Sequence, residues 1–228
     1  MINVVPVPAR IGRPPDTDPA ETRRRIVDAA RHEFALRGYA AATNRVIAAL
    51  SGVTTGAVYH HYNSKAELYC AVHADAHDRV YARFAATARG LASFIDMFDA
   101  VLDVAAELNE GDPSLAAFIG AARIDRRRHQ ELAEVIPDDH IRRAAFCAGL
   151  IEVGVATGEI AEPRRVEVAA FVDVVFVGLN DAVSDDLRQQ RRAIASIKSA
   201  MRGLLRASEA PRGPVIRSAI TENIASSV

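Results

Sequence analysis

Residues 43–68 read TNRVIAALSGVTTGAVYHHYNSKAEL, and they carry the clearest structural signals in the chain. It contains two short apolar helical patterns separated by Ser51-Gly52-Val53, and Thr43 and Thr54 stand where the N-caps of those helices are expected. The tetrapeptide Ser64-Lys65-Ala66-Glu67 then reads as a capping box that opens a longer helix. Two short helices joined by a three-residue turn with glycine are the outline of a helix-turn-helix.

A further helix is predicted just upstream, over residues 19–37. Asp18 can cap it, and Pro19 suits its first position. Glu21 stands where the acid of a capping box reaches back to the cap. Gly38 ends the apolar stripe of this helix, as glycine commonly does at a helix C-terminus.

Beyond residue 66, every segment with a clear apolar periodicity has the period of a helix. Alternating strand patterns bounded by turn signals are missing there. The predicted helices lie near 64–88, 92–109, 113–134, 138–156, 163–184 and 187–207. We therefore expect an all-α fold made of a flexible basic arm, a helix-turn-helix domain, a larger helical domain and a flexible tail. These four parts are expected to span residues 1–17, 18–66, 67–207 and 208–228.

Charge is distributed unevenly along the chain. Residues 1–65 contain nine Lys/Arg and five Asp/Glu, a net charge of +4, whereas the whole chain carries −1. A basic N-terminal part joined to an acidic remainder suggests that only the former meets a polyanion. Charges scattered over a solvated surface remain the alternative.

Composition excludes several classes of protein. No apolar run reaches the length of a membrane helix, because Glu152 interrupts one candidate and Glu167 the other. The first ten residues lack the basic start and the uninterrupted apolar stretch of a secretory signal. We expect a cytoplasmic protein with no membrane partner. Cys70 and Cys147 lie in apolar helical patterns, which favours buried thiols over a disulfide.

The stretch from Arg24 to Leu68 resembles the DNA-binding domain of the TetR family of transcriptional regulators. The matching parts are RRIVDAARHEFALRGY and the stretch quoted first, in the order and spacing of the family. Ser51 departs from the usual Ala, and Ala57 from a residue that often forms hydrogen bonds. The resemblance implies a homodimer that binds a palindromic operator in double-stranded DNA, commonly as a repressor. It also implies that residues 67–207 sense a small-molecule effector and dimerise, without a cofactor.

The third helix is the predicted recognition helix, whose N-terminal end must present short or polar groups to the major groove. Thr55 can hydrogen-bond to a base edge, Gly56 allows close approach, and the methyl group of Ala57 can pack on thymine. By resemblance, Lys65 meets a phosphate, whereas Tyr62 is expected in the core. The predicted DNA-binding residues are Arg13, Thr43, Asn44, Arg45, Thr54, Thr55, Gly56, Ala57, Tyr59, His60, His61 and Lys65.

The arm RIGRPP precedes the first helix and carries Arg10 and Arg13. Its prolines and glycine exclude a regular helix. Such an arm can enter the minor groove of A·T-rich DNA, where arginine is attracted. A solvated tail is the equally weighted alternative.

The larger domain contains aromatic residues and acids close to apolar runs, a composition typical of a site for an apolar or amphipathic small molecule. Aromatic residues at helical spacing also form ordinary cores, which is the competing interpretation for each of them. The candidate pocket residues are Phe84, Phe94, Met97, Phe98, Phe118, Phe146, Cys147, Glu152 and Asp173.

Two apolar stripes near the end of the chain suggest a twofold four-helix bundle between two copies. The alternative is that both stripes pack within one chain. The predicted dimer-interface residues are Val168, Phe171, Val172, Val175, Leu179, Ile194, Ile197, Met201 and Leu204.

His73 and His77 share a helix face at the spacing of metal ligands, but no third ligand stands at a diagnostic distance in the sequence. We interpret them as polar surface histidines and predict no metal site. The basic cluster Arg126-Arg127-Arg128-His129 is flanked by acids, which favours a solvated, salt-bridged face over a second nucleic-acid site.

Two other classes of protein fit the sequence less well than a regulator. An enzyme is not expected, because the sequence has no phosphate-binding glycine loop, HExxH or nucleophile elbow. A DNA-binding protein without a sensor leaves the acidic, aromatic-rich larger domain unexplained.

Overall fold

The computed structural model describes residues 18–136, 139–183 and 186–206. Within them it contains α-helices and one 3-10 turn, at Glu162–Arg164, and no strand, which confirms the predicted all-α class. The helices are α1 Pro19–Ala41, α2 Asn44–Ser51, α3 Thr55–His61, α4 Lys65–Ala88, α5 Phe94–Gly111, α6 Pro113–Arg128, α7 Gln130–Val135, α8 Asp139–Ala156, α9 Arg165–Val183 and α10 Leu187–Arg206. The predicted arm with Arg10 and Arg13 and the predicted tail 208–228 lie outside the described residues.

The helix starts follow the predicted caps. In each case the side chain of the N-cap accepts a hydrogen bond from a backbone N–H in the first turn, so a local signal sets the boundary. These caps are Asp18, Thr43, Thr54 and Ser64.

The two predicted capping boxes close differently from the expected pattern. Glu21 does not reach back to Asp18, because its carboxylate accepts hydrogen bonds from Arg24, with a shortest distance of 2.8 Å. Glu67 reaches one residue further than a standard box and accepts the backbone N–H of Asn63 at 2.9 Å.

The structure confirms one predicted helix end and changes another. Gly38 breaks α1 at a left-handed φ of 71°, as expected, and a short helical turn resumes after it. The single helix predicted over 113–134 is wrong, because His129 adopts an extended backbone and separates α6 from α7.

The side chains pack into two main cores. In the first, the ring of Tyr69 on α4 lies between Phe34 on α1, at 4.6 Å, and Phe118 on α6, at 5.0 Å between centroids. The second joins α5, α8, α9 and α10 around residues such as Phe98 and Met201. Helix α6 therefore shares a core with the helix-turn-helix half. No helix in the described part of the chain has the length and apolarity needed to cross a membrane.

Glu159 ties the α8–α9 connection to the start of α5. Its carboxylate accepts hydrogen bonds from the backbone N–H of Phe94 at 2.8 Å and of Ile95 at 3.1 Å, and from the hydroxyl of Ser93 at 3.0 Å. Burial by itself raises the pKa of this carboxyl, but the donated hydrogen bonds outweigh it and lower the pKa below the ordinary value. The ionised form therefore stabilises the folded chain.

Replacing Glu159 by Gln is expected to lower the free energy of unfolding by about 1–2 kcal/mol at pH 7. Because the folded pKa is lowered, this stabilisation is present above the unfolded pKa of about 4.3 and is lost as the pH falls through the folded value. The difference from the unmodified protein, measured by urea unfolding between pH 7 and pH 3, should shrink at the acid end of this range. Glu107→Gln, at an exposed glutamate, is the control and should show neither effect. A difference that does not change with pH would contradict this account.

Candidate functional site

The helix-turn-helix is built by α2 and α3 around a tight turn. Gly52 takes a left-handed φ of 68°, and the N–H of Val53 bonds to the carbonyl of Ala48 at 3.0 Å. Ser51 is buried, and its hydroxyl donates to the carbonyl of Ile47 at 2.8 Å. The serine is small enough for the helix crossing, and its polar group has an internal acceptor.

Helix α3 presents its outer face to solvent. Tyr59 is 53% exposed, whereas Tyr62 is 2% exposed and accepts a hydrogen bond from Arg23 Nε at 3.2 Å. The tyrosine predicted for DNA and the one predicted for the core are thus in different environments. Most of the predicted DNA-binding residues in α2, α3 and their caps are exposed or half-buried. They are Thr43, Arg45, Thr54, Thr55, Gly56, Ala57, Tyr59, His60 and His61.

Asn44 is the exception among the predicted DNA-binding residues of α2. It is 8% exposed and lies on the inner face of the helix together with Ile47, Ala48 and Ser51, one and two turns further on. The expectation that Asn44 meets DNA is corrected, because its side chain points into the protein and Arg45 takes the outer position.

Lys65 also has partners that the sequence did not suggest. Its ammonium group donates to the carbonyls of Tyr39 at 2.7 Å, Ala42 at 3.2 Å and Ala40 at 3.3 Å, and lies 4.4 Å from the centroid of the Tyr39 ring. The break at Gly38 leaves these carbonyls outside the regular helix, beside the start of α4. Three acceptors match the three donors of an ammonium group. In this structure Lys65 therefore fastens α1 to α4, an internal role that competes with the predicted phosphate contact.

Replacing Lys65 by Ala is expected to lower the free energy of unfolding by about 1–3 kcal/mol, because the carbonyls lose a charged donor. The salt dependence of DNA binding should keep its slope, whereas loss of a phosphate contact would reduce it by about one unit. Urea unfolding and binding at several salt concentrations measure the two effects. Arg83→Ala, at an exposed pair, is the control for stability. Unchanged stability together with a reduced salt dependence of DNA binding would show that Lys65 contacts a phosphate instead.

A buried arginine joins the helix-turn-helix half to the start of α6. Arg31 is 2% exposed and donates to Asp112 at 2.6 Å, Ser114 at 3.0 Å and Asp28 at 3.1 Å. Asp112 also caps α6 through the N–H of Ser114. In the sequence, Asp112 reads only as part of a helix break, since its partner lies 81 residues away.

A buried carboxylate fastens the other end of α6. Asp125 is 8% exposed, and its Oδ2 accepts the backbone N–H of Tyr39 at 2.9 Å and the hydroxyl of Tyr69 at 3.0 Å. Helix α6 is therefore bonded near both ends to α1, and near its C-terminal end to α4. In the sequence, Asp125 reads as a flank of a solvated basic cluster, and its buried contacts with Tyr39 and Tyr69 are not predicted.

A cavity of about 140 Å³ lies beside α6 among α4, α5, α8, α9 and α10. Its walls are mostly aliphatic and aromatic, with a few polar groups, which is the usual composition of a small-molecule site. The lining residues are His77, Val80, Tyr81, Phe84, Ala105, Leu108, Asn109, Leu115, Ala116, Ile119, Arg123, Arg143, Phe176, Val177, Leu179 and Gln190.

Most of the residues that the sequence suggested for the pocket do not line this cavity. Phe84 lines the cavity, and Phe146 packs against it with ring centroids 5.6 Å apart. Asp173 is an ion-pair partner of the lining residue Arg143 at 2.6 Å. The other apolar candidates are ordinary core residues, which was the alternative interpretation of their helical spacing. The carboxylate of Glu152 is exposed. These corrected positions are Phe94, Met97, Phe98, Phe118, Cys147 and Glu152.

The interpretation of His73 and His77 as surface residues is wrong. They are 4% and 5% exposed, and their rings lie 4.4 Å apart. His77 also lines the cavity and stacks on Tyr81. The described residues contain no group of three side chains that could hold a metal ion. Cys147 is buried too, and this burial raises the pKa of its thiol to about 11.

The predicted dimer stripes pack largely inside the chain. Six of these residues are buried in the second core, namely Val168, Val172, Val175, Leu179, Ile194 and Met201, and three are half-buried, namely Phe171, Ile197 and Leu204. The buried six are therefore removed from the interface. The outer face of α9 instead exposes Val166 at 79%, Val174 at 69% and Ala170 between them.

Comparison with known proteins agrees with this architecture. Residues 26–72 match the model of the family described as bacterial regulatory proteins, tetR family. The transcriptional repressor Rv1474c of Mycobacterium tuberculosis is 32% identical over 179 residues, which cover 68% of this chain and 91% of that protein. The regulator UidR of Escherichia coli K12 is 26% identical over 195 residues, or 84% of this chain and 97% of that protein.

The fold is shared with solved structures as well. Salmonella enterica GusR superposes with a TM-score of 0.67 at 23% identity, covering 83% of this chain and 98% of that chain. A helix-turn-helix in residues 43–61, the match of the family model and similarity to regulators over nearly their whole length identify the role of the chain. The chain belongs to the TetR family of helix-turn-helix transcriptional regulators.

Proposed function

We propose that this regulator is a dimeric repressor that leaves a palindromic operator when a small apolar or amphipathic ligand fills the cavity beside α6. The observation that carries the proposal is the position of α6 between the two sites. Its residues Ala116, Ile119 and Arg123 line the cavity, and Asp112 and Asp125 bond to α1. The relative Rv1474c is a transcriptional repressor by name, which supports the direction of the effect.

The DNA-binding part of the proposal places the start of α3 in the major groove. Thr55 and Ala57 meet base edges, and Tyr59, His60 and His61 lie towards the backbone and neighbouring bases. Arg45 and Thr43 approach from α2. These side chains are exposed or half-buried, so they can reach DNA without rearrangement of the core. Arg13 stays part of the proposal as an arm residue outside the described range.

Coupling between the sites follows from differential binding. A ligand shifts the equilibrium only if it binds the DNA-incompatible state more tightly, and a coupling of about 1–3 kcal/mol changes DNA affinity by roughly 5–150-fold. Displacement of α6 by a ligand would be passed to α1 through Asp112 and Asp125. It would also reach α4, whose residues His77 and Phe84 line the same cavity. Two recognition helices held about 34–36 Å apart on a twofold operator are sensitive to such a movement.

Thr55→Ala is expected to relax base preference at one position of each half-site, at a cost of about 1–3 kcal/mol there. Selection from random double-stranded DNA first gives the operator, which should be palindromic. Competition between operator variants then measures the preference of the modified protein. Tyr59→Phe is the matched control and should weaken binding to all variants alike. Full selectivity in Thr55→Ala would remove this residue from base recognition, and selection of no common sequence would contradict operator binding itself.

A further inference from the structure

We infer that Arg31 on α1 exchanges one carboxylate partner for another when the regulator leaves its operator, an inference that deepens and rests on the proposed function. In the structure the guanidinium group of Arg31 holds Asp112, at the start of α6. The carboxylate of Asp75 on α4 lies close enough to take the place of Asp112. The exchange would release α1 from the start of α6 and bind it to α4 instead.

Arg31 makes most of its hydrogen bonds to the start of α6. Its Nη2 donates to Asp112 Oδ2 at 2.6 Å, and its Nε donates to the hydroxyl of Ser114 at 3.0 Å. Nη1 donates to Asp28, on the same helix, at 3.1 Å. The arginine is buried, so water cannot compensate its charge, and it needs an anion beside it in any arrangement of the helices.

Asp75 has a buried oxygen atom that lacks a hydrogen bond. Its Oδ2 lies 3.7 Å from Arg31 Nη1, which is an ion-pair distance but too long for a hydrogen bond. This oxygen accepts no hydrogen bond from the described residues, although Arg79 Nε lies 2.8 Å from it. A movement of the guanidinium group by about 1 Å would supply the bond. One buried cation therefore has two alternative partners, and only the first is fully used.

The surrounding charges keep the cost of an exchange low. Two arginines, Arg31 and Arg79, share three carboxylates, those of Asp28, Asp75 and Asp112. Arg79 Nη2 donates to Asp28 at 2.9 Å, so this acid is held whichever partner Arg31 takes. The side chain of Asp112 is 27% exposed, so water can hydrate its carboxylate after release. Because Arg31 keeps a partner, the penalty of an uncompensated buried charge is avoided.

The cavity is placed to control this exchange. Leu115 and Ala116, which directly follow the Asp112–Ser114 start of α6, line the cavity, so a ligand there acts on the helix end that Arg31 holds. We assign operator binding to the arrangement with Asp112 and release to the arrangement with Asp75. A switch needs two discrete arrangements of this kind, each favoured by one of the two ligands of the protein.

Operator affinity of three variants tests the exchange without any small molecule. Asp112→Asn keeps a side chain that can cap α6, but it should favour the Asp75 arrangement and weaken operator binding at least about threefold. Asp75→Asn should bind the operator at least as tightly as the unmodified protein. The double variant has neither partner, so it should recover most of the lost affinity although it is the least stable. The control is Asp78→Asn, at an exposed acid of α4, which should not restore binding when it is combined with Asp112→Asn.

Urea unfolding tests the exchange without DNA. Each acid replaces the other in a single variant, so the folding equilibrium constant of the double variant should fall at least about tenfold further than the product of the two single effects. Additive effects would overturn the inference. Weaker operator binding by Asp75→Asn, or a double variant without recovered affinity, would overturn it too. If the unmodified chain selects no operator, the proposed function is wrong, and the unfolding measurement alone decides whether Arg31 changes its partner.

Discussion

Val174→Glu is expected to convert the proposed dimer into monomers and to abolish tight operator binding. Val166, Ala170 and Val174 stand four residues apart on α9, so they form one exposed apolar stripe. A twofold interface would bring this stripe against its copy and against the half-buried Ile197 and Leu204 of α10. The new carboxylate would be buried without a partner, at a cost of about 3–5 kcal/mol, so the dissociation constant of the dimer should rise at least about 100-fold.

Sedimentation and operator binding measure the two effects of Val174→Glu. Leu36→Glu is the matched control, since Leu36 is an exposed apolar residue, at 77%, on α1 and away from this face. It should leave the dimer intact. Met201→Glu, at a residue 0% exposed within one chain, should unfold the protein instead of dissociating it. A Val174→Glu protein that still sediments as a dimer would exclude the outer face of α9 from the interface.

The burial of most of the predicted stripe within one chain has a physical reason. Helix α9 is apolar on nearly every side, because Val166, Val168, Val172 and Val174 are distributed around it. The periodicity of the sequence therefore does not determine which side of α9 packs in the second core. The sequence predicted the helix because its propensity and length are local properties. Which face it buries depends on how α5, α8 and α10 pack around it, and the pattern within α9 does not encode that arrangement.

The helix-turn-helix could be predicted more fully, because its signals act over a few residues. The caps at Thr43 and Thr54 bond to N–H groups within their own helices. The roles of Asn44 and Lys65 could not be predicted in the same way. Lys65 bonds to carbonyls more than twenty residues upstream, and the inward position of Asn44 depends on where α2 packs on α1.

The cavity escaped prediction for a related reason. Phe94, Met97 and Phe98 lie on one strongly apolar helix and were candidates by composition, yet they fill the core between α5 and its neighbours. The cavity is defined by side chains from six helices, including the arginines Arg123 and Arg143. Their convergence is a property of helix packing and leaves no spacing signal in the sequence.

Asp125→Ala is expected to have the second large effect, on both stability and coupling. It leaves the buried N–H of Tyr39 and the buried hydroxyl of Tyr69 without their acceptor, at about 1–3 kcal/mol each. The free energy of unfolding should fall by about 2–5 kcal/mol in urea. The C-terminal end of α6 would no longer be bonded to α1. A ligand that lowers operator affinity roughly 5–150-fold in the unmodified protein should then change it only slightly.

Asp125→Asn separates the loss of the hydrogen bonds from the loss of the charge. Both bonds end on the same oxygen, Oδ2, so an amide oxygen placed there can accept both, and this variant should keep most of the stability and the coupling. Tyr69→Phe removes one of the two bonds, and we expect it to cost about 1 kcal/mol with partial loss of coupling. The measurement is operator affinity with and without a saturating ligand, at a temperature where every variant is folded. Full coupling in Asp125→Ala would show that the bonds of Asp125 do not carry the signal, which would then pass through the link of Asp112 to Arg31 or through α4.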